Sequence, residues 1–262
     1  MKSRVVVLLS GRGSNLQALL AAIDRHDIDA EVVGVISNRP NAGGLAIARA
    51  AGITTACIDH RQCGGQSDSQ DEQRASFERV LCTTIDALRP DVVLLAGFMR
   101  ILTPAFVRHY SPRLFNIHPS LLPDHRGLDT HARALARGDR IHGASVHVVT
   151  PELDAGPVIA QVVVPVMADD GPESLALRVQ QGEHLLYPIV LAWYADGRLD
   201  LSEADIRLDA NRLPATGVRF ELDELAATAT MLASRGHPMG HGHSRCDPSR
   251  GSHAPCDHSE VP

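Results

Sequence analysis

The sequence predicts an α/β fold: a single doubly wound, mostly parallel sheet with helices on both faces. Three observations carry that expectation. Residues 5–9 form a continuous apolar run, the pattern of a strand buried on both faces of a parallel sheet. Runs of this kind alternate along the chain with stretches whose apolar residues recur at helical spacing, the element order of a parallel sheet with crossover helices. At 262 residues the chain can bury a real core, as one large domain or two smaller ones.

The first strand empties into Ser10-Gly11-Arg12-Gly13-Ser14-Asn15, after which Leu16, Leu19, Leu20 and Ile23 fall at helical spacing. A strand, a glycine loop and a helix N-terminus form an anion site from free backbone N–H groups and the positive helix end. The third glycine of a dinucleotide fingerprint is absent, with Leu16 in its place. The second strand, residues 31–37, is followed by Asn38 and Arg39 and not by an acidic ribose ligand. A phosphate monoester is therefore preferred to a nicotinamide cofactor, with a plain tight turn as the alternative.

Asn41-Ala42-Gly43-Gly44 leads into a short helix through Ala51, closed by Gly52 as a C-cap. Residues 54–58 read as a third strand, and 64–69 as a polar mobile loop. The next helix, about 70–88, ends before Arg89-Pro90; residues 91–97 are then a fourth buried strand opening into Phe98-Met99-Arg100-Ile101-Leu102. Thr103-Pro104 has the form of an N-cap followed by proline at the first helical position.

The centre of the chain is Leu114-Phe115-Asn116-Ile117-His118-Pro119-Ser120-Leu121-Leu122-Pro123. Period two puts Asn116 and His118 on one side of a strand, and the prolines turn the chain out of the sheet into a loop. An amide donor beside a titratable ring suits acyl-type chemistry: one group holds a carbonyl oxygen as it gains charge, the other manages a proton. The same pair fits a strand-end histidine hydrogen-bonded to backbone, and these two residues do not separate the readings.

Beyond it, residues 127–138 hold a short helix bearing His131, and 144–149 alternate around His147. Thr150-Pro151-Glu152-Leu153-Asp154-Ala155-Gly156-Pro157 is a loop between two strands, the second at 158–166. The last long helix follows Pro172, with Leu175, Val179, Leu186, Ile189, Val190 and Trp193 as its core face. Gln180 and Glu183 lie side by side on its surface, where an ordinary solvated face is the simplest reading.

Composition narrows the function. A net charge of −6 and 3% aromatic residues argue against a nucleic-acid partner. No apolar stretch approaches the length of a membrane span, and the run after Met1-Lys2-Ser3-Arg4 is too brief for a signal peptide core. Five scattered cysteines, Cys57, Cys63, Cys82, Cys246 and Cys256, lack a C-x-x-C pair and read as reduced thiols, so a cytoplasmic location is expected. After Arg235 the chain is rich in Gly, Pro, Ser and His with little to bury, the composition of a disordered tail and not of a specific metal site.

Taken in order, Ser10-Gly-Arg-Gly-Ser-Asn-Leu, Ala96-Gly-Phe-Met-Arg-Ile-Leu, Phe115-Asn-Ile-His-Pro-Ser-Leu-Leu-Pro, Gly143-Ala-Ser-Val-His and Leu153-Asp-Ala-Gly-Pro resemble the phosphoribosylglycinamide formyltransferases of purine biosynthesis. The resemblance covers about residues 4–215. It implies a Rossmann-like formyltransferase fold and transfer of a formyl group from 10-formyltetrahydrofolate, as co-substrate, to the amine of glycinamide ribonucleotide, without metal or nicotinamide. It implies Asn116, His118 and Asp154 as the catalytic trio: the amide holds the formyl oxygen, the imidazole acts as general acid, and the carboxylate keeps that ring charged. Gly13, Ser14, Asn15, Gln180 and Glu183 match the ribonucleotide site. Arg74, Met99, Arg100, Ile101, Leu102, Asn116, Thr150, Pro151, Glu152, Leu153 and Asp154 match the folate site.

One position departs from the pattern. Asp129 stands where some relatives carry a histidine near the catalytic aspartate, and it either repels Asp154 or caps the helix carrying His131. The expected organisation is a catalytic domain at 1–215, an extension at 216–234 and a disordered tail at 235–262. The chain is expected to act on small molecules as a monomer or homodimer, without nucleic-acid or membrane partners. The alternatives are another formyl-folate enzyme, such as a deformylase, or a non-catalytic nucleotide-binding module. Deformylases carry a regulatory domain ahead of the catalytic part, whereas here the first strand begins at Val5. A nucleotide module would leave Asn116, His118 and Asp154 as coincidence.

Overall fold

The computed structural model describes residues 1–63, 69–201 and 205–235. Most of the loop expected at 64–69 and the tail after 235, with Cys246 and Cys256, lie outside the described residues. The elements alternate as the sequence predicts: β1 (Ser3–Leu9), α1 (Ser14–Asp24), β2 (Ala30–Ser37), α2 (Gly43–Ala50), β3 (Thr55–Cys57), α3 (Gln70–Ala87), β4 (Val92–Leu95), α4 (Pro104–Tyr110) and β5 (Leu114–His118). Then come α5 (Thr130–Arg137), β6 (Ile141–Val148), β7 (Val158–Pro165) and α6 (Pro172–Ala195).

Local chemistry sets several of these boundaries. Ser69 caps α3 through a reciprocal pair: its hydroxyl accepts from the Glu72 N–H, and the Glu72 carboxylate accepts from the Ser69 N–H. Thr103 caps α4, accepting from the Phe106 N–H, with Pro104 at the first helical position. Thr103 is itself anchored by the buried Glu78 carboxylate, which takes its backbone N–H at 2.7 Å.

After α6 the chain continues into elements the sequence did not announce. β8 (Leu199–Asp200), β9 (Arg207–Leu208) and β10 (Asn211–Arg212) form a small separate sheet, and β11 (Val218–Glu221) and α7 (Leu222–Arg235) follow. Strand order in the main sheet is β11-β7-β6-β5-β4-β1-β2-β3, so β11 lies parallel along β7 within the sheet. Leu225 of α7 is fully buried in the core. The segment expected as an extension from 216 is thus built into the main sheet. Two-residue strands and a four-residue edge strand are too short to show a period, which is why pattern alone passed over them.

Every ladder of the main sheet is parallel except the two made by β6, which runs against both β5 and β7. Alternation sorts the side chains of the parallel part onto two faces. Val5, Val7, Val92 and Leu94 join one core with Leu16 and Leu19 of α1, Leu45 of α2 and Leu186 and Val190 of α6. Val6, Leu8, Val93 and Leu95 join a second core with Phe77 and Leu81 of α3 and Phe106 and Tyr110 of α4.

Over β5 to β7 the first face is apolar apart from His142, with Phe115, Ile117, Ala144, Val146, Ala160 and Val162 in the first core. By the same alternation the other face is polar, carrying Asn116, His118, Ser145, His147 and Gln161. The alternation predicted around His147 is present, yet its polar members are buried. A loop covers them: Ser145 Oγ accepts from the Leu122 N–H at 3.0 Å and donates to Ser120 O at 2.7 Å, while Gln161 Nε2 donates to Leu122 O at 2.8 Å.

Candidate active site

The glycine loop after β1 assembles at the join of two helices. Gly13 sits at the N-cap of α1 with φ of 84°, and an added Cβ there would lie 2.5 Å from Gly44 Cα at the start of α2. Only glycine meets both demands. Ser14 Oγ accepts from Gln180 Nε2 at 3.1 Å, and Asn15 Nδ2 donates to Glu183 Oε2 at 2.7 Å. Gln180 and Glu183 are therefore not a plain solvated helix face; they tie α6 to the start of α1. Burial pushes the Glu183 carboxyl up, partly opposed by the Asn15 hydrogen bond.

The end of β4 meets this loop. Ser10 Oγ donates to Asn38 Oδ1 at 2.5 Å and accepts from the Met99 N–H at 2.8 Å. Met99 and Ile101, 56% and 63% exposed, present apolar side chains to the outside, while Leu102 turns into the core. The Arg100 guanidinium lies 5.5 Å from the Phe77 ring centroid of α3. Arg74 is on that helix, one turn before Glu78, whose carboxylate holds the Thr103 N–H.

Asn116, His118 and Asp154 come together on the polar face of β5. His118 Nδ1 is 3.5 Å from Asp154 Oδ2, with both side chains more than nine-tenths buried. His118 Nε2 lies 3.1 Å from the carbonyl oxygen of His125, so that nitrogen carries a hydrogen and Nδ1 is the one that faces the carboxylate. The backbone partner foreseen for a bland strand-end histidine thus exists beside the carboxylate and does not replace it. Asp154, at φ of 47°, also accepts from the Gly127 N–H at 2.9 Å. Thr150, Pro151, Glu152 and Leu153 form the rim of the same loop, with Leu153 exposed and Glu152 paired to Arg126 at 2.9 Å.

Several participants were not singled out from the sequence. His147, directly across from Asn116 in the antiparallel ladder, receives the Asn116 amide at 3.1 Å. Its ring is 1% exposed, and burial pushes it down to about 4. His125 pairs with Asp139 at 2.7 Å, and Arg137 in turn bonds Asp139 and Asp124, which fastens the loop over His118. His142 is buried beside His125 and His131 and is also pushed down to about 4, by burial first and then by the neighbouring rings. The signal available for His147 was its place in the Gly143-Ala-Ser-Val-His stretch. Nothing local marks His125, whose role depends on a contact seven residues back.

Asp129 occupies the N-cap position of α5 but makes no capping bond. Its left-handed backbone, φ 56°, departs from the extended geometry that aims a capping carboxylate at the first turn. The side chain is exposed, whereas that of Asp154 is buried. A cavity of about 420 Å³ opens beside Asp154, bounded by Leu122, Arg126 and Gly156 and, from the small sheet, by Ile206 and Arg212. Among the described residues no group of three His, Cys, Asp or Glu is arranged around a metal position, and no helix is long and apolar enough to cross a membrane.

Residues 3–191 match the family described as formyl transferase. The chain is 52% identical over 213 residues to the phosphoribosylglycinamide formyltransferase of Escherichia coli K12, covering 81% of this chain and 97% of that protein. It is 36% identical over 218 residues to the Haemophilus influenzae enzyme of the same name, covering 83% of this chain and 99% of that one. Among solved structures, the phosphoribosylglycinamide formyltransferase of Coxiella burnetii superposes with a TM-score of 0.78 at 46% identity, covering 84% of this chain and all of that one.

Proposed function

This chain belongs to the formyl transferase family, among its phosphoribosylglycinamide formyltransferases, and from that membership we propose how its residues share the work. The reaction moves the formyl group of 10-formyltetrahydrofolate onto the amine of N1-(5-phospho-D-ribosyl)glycinamide, giving the N-formyl product and tetrahydrofolate in de novo purine biosynthesis. The folate is a co-substrate and leaves with each turnover.

In our reading the substrate amine attacks the formyl carbon, and the Asn116 amide donates to the oxygen as it becomes an oxyanion. His118 Nδ1 supplies the proton that folate N10 takes up as the intermediate collapses, and the ring takes back the proton that the attacking amine loses, so it ends the turnover as it began. Asp154 stabilises the charged ring. The observation that carries this reading is the convergence of all three on one buried polar face, with Asp154 at 3.5 Å from His118 Nδ1. Gly13, Ser14 and Asn15 take the phosphate with backbone N–H groups at the start of α1, and Gln180 and Glu183 close that end. The apolar Met99, Ile101 and Leu153, with Arg74, Arg100 and the 150–154 loop, receive the folate. We assign the folded catalytic unit to residues 1–235 and place the enzyme in the cytoplasm, as a monomer or homodimer.

The test is a formyl-transfer assay with and without glycinamide ribonucleotide. Tetrahydrofolate release that requires the ribonucleotide supports the assignment; equal release without it would make the chain a deformylase.

A further inference from the structure

Asn116 can hold an oxyanion only if its amide nitrogen, and not its oxygen, is aimed correctly, and the surrounding strands fix that choice. The β6–β7 ladder shifts register between Val146 and His147. Just past that irregularity the Val148 carbonyl oxygen lies 3.1 Å from His147 Nδ1. A carbonyl can only accept, so Nδ1 carries the hydrogen. In a neutral ring Nε2 is then a lone pair, and the group 3.1 Å away must donate to it. That group is Asn116 Nδ2. The amide oxygen is thereby turned away from His147, and the second N–H of Asn116 is left for a ligand.

We infer that His147 is a positioning residue, held as its Nδ1–H tautomer by the Val148 carbonyl so that it orients the Asn116 amide for the formyl oxygen. The functional half of this inference rests on the role proposed above for Asn116. Three groups face the ring besides the amide: the Val148 carbonyl at Nδ1 and Asp154 Oδ1, 3.8 Å from Nε2, which favour a charged ring, and His118, which opposes one. Burial dominates and keeps the ring neutral. A charged His147 would place a donor at Nε2 against the amide N–H, and Asn116 would relieve it by turning over and presenting the wrong atoms.

Gly156 completes the device. An added Cβ there would overlap the Val148 carbonyl oxygen, so the glycine leaves the space that carbonyl needs to reach His147. The Asp-Ala-Gly stretch thus serves the site twice, through the Asp154 carboxylate and through the room left at Gly156.

The full chain labelled with ¹⁵N-histidine tests the tautomer directly. The expected spectrum has His147 protonated at Nδ1 and bare at Nε2 between pH 8 and 6; a proton on Nε2 would overturn the inference. In kinetics, His147→Leu should lower kcat about tenfold, near the net worth of one hydrogen bond, with both KM values changed less than about twofold. His147→Gln, which can accept through its side-chain oxygen, should recover part of the loss and serves alone if the leucine variant does not fold. The double variant with Asn116→Ala should be no slower than Asn116→Ala by itself; additive losses would show that His147 acts other than through Asn116. If Asn116→Ala kept full activity, the role of Asn116 would fail, while the spectrum would still decide the tautomer.

Discussion

The sheet has two parts that solve different problems. From β3 to β4 all strands are parallel, helices cover both faces, and the buried side chains are mostly apolar; in the reading proposed above, what this part offers a ligand comes from the loops after β1 and β4, as backbone N–H groups and exposed apolar side chains. From β5 to β7 the reversed strand β6 puts residues of neighbouring strands directly opposite one another, and one face is polar under a loop in place of a helix. Asn116 facing His147 is a product of that antiparallel register. In the reading proposed above, the parallel part holds substrates and the part around β6 supplies side-chain chemistry.

If that division is right, damage to the polar face should fall on kcat and damage to the parallel part on KM. The largest expected effect is that of Asp154→Asn, which keeps the shape and removes the charge beside His118. A general acid is typically worth ~10²–10⁴-fold, so kcat should fall within roughly that range with small changes in either KM. A loss expressed mainly in KM for the folate would move Asp154 from the chemistry to the binding loop.

Acid should also strike the polar part first. His142 and His147, both on β6, are held down to about 4 in the fold, against an ordinary histidine value near 6.5. The unfolded chain therefore binds more protons than the native one as pH falls from about 6.5 to 4, and stability declines across that window. The loss is on the order of 3 kcal/mol for His142 once the pH reaches 4, and His147 adds a loss of the same sign. Melting temperatures measured from pH 7 to 4 should show the decline, and His142→Asn should flatten it; an unchanged slope would mean that these rings do not govern acid stability.

On the parallel side, Asn15→Asp replaces the donor to Glu183 with a second carboxylate beside the phosphate position. The KM for the ribonucleotide should rise about tenfold or more by like-charge repulsion, with the folate KM nearly unchanged. Equal weakening of both substrates would remove the phosphate assignment. This change is cleaner than Gly13→Val, whose side chain would also collide with α2. The smallest effect is expected from deleting residues 236–262, whose composition offers little to bury: activity and melting temperature should stay close to those of the full chain. A clear fall in either would show that the tail docks on the folded part.

Most of the parallel part was legible because each of its features is local. Continuous apolar runs, the glycine loop and the Thr103-Pro104 cap are signals of a few adjacent residues, and the structure places them within a residue or two of expectation. Asn116 and His118 were legible as a same-face pair for the same reason. The contacts that make the pair a site were not. The His118–Asp154 approach, the His125 carbonyl on His118, and the Gln180 and Glu183 bonds to α1 join residues far apart in the chain or around a turn that no period describes. The resemblance supplied Asp154, Gln180 and Glu183; it did not supply His147 or His125.

The reversal of β6 also bears on how the chain assembles. β6 and β7 are joined by only nine residues, 149–157, and β5 precedes them by one short helix, so this meander can close with little loop entropy. The parallel ladders demand far more, since Val5 must find Val92 across three helices and two strands. Local antiparallel pairing is expected to be established before the distant parallel one. Pulsed hydrogen exchange during refolding should then protect the amides of β6 and β7 ahead of those of β1 and β4, so that the strands assigned the chemistry exist before the strands assigned the phosphate.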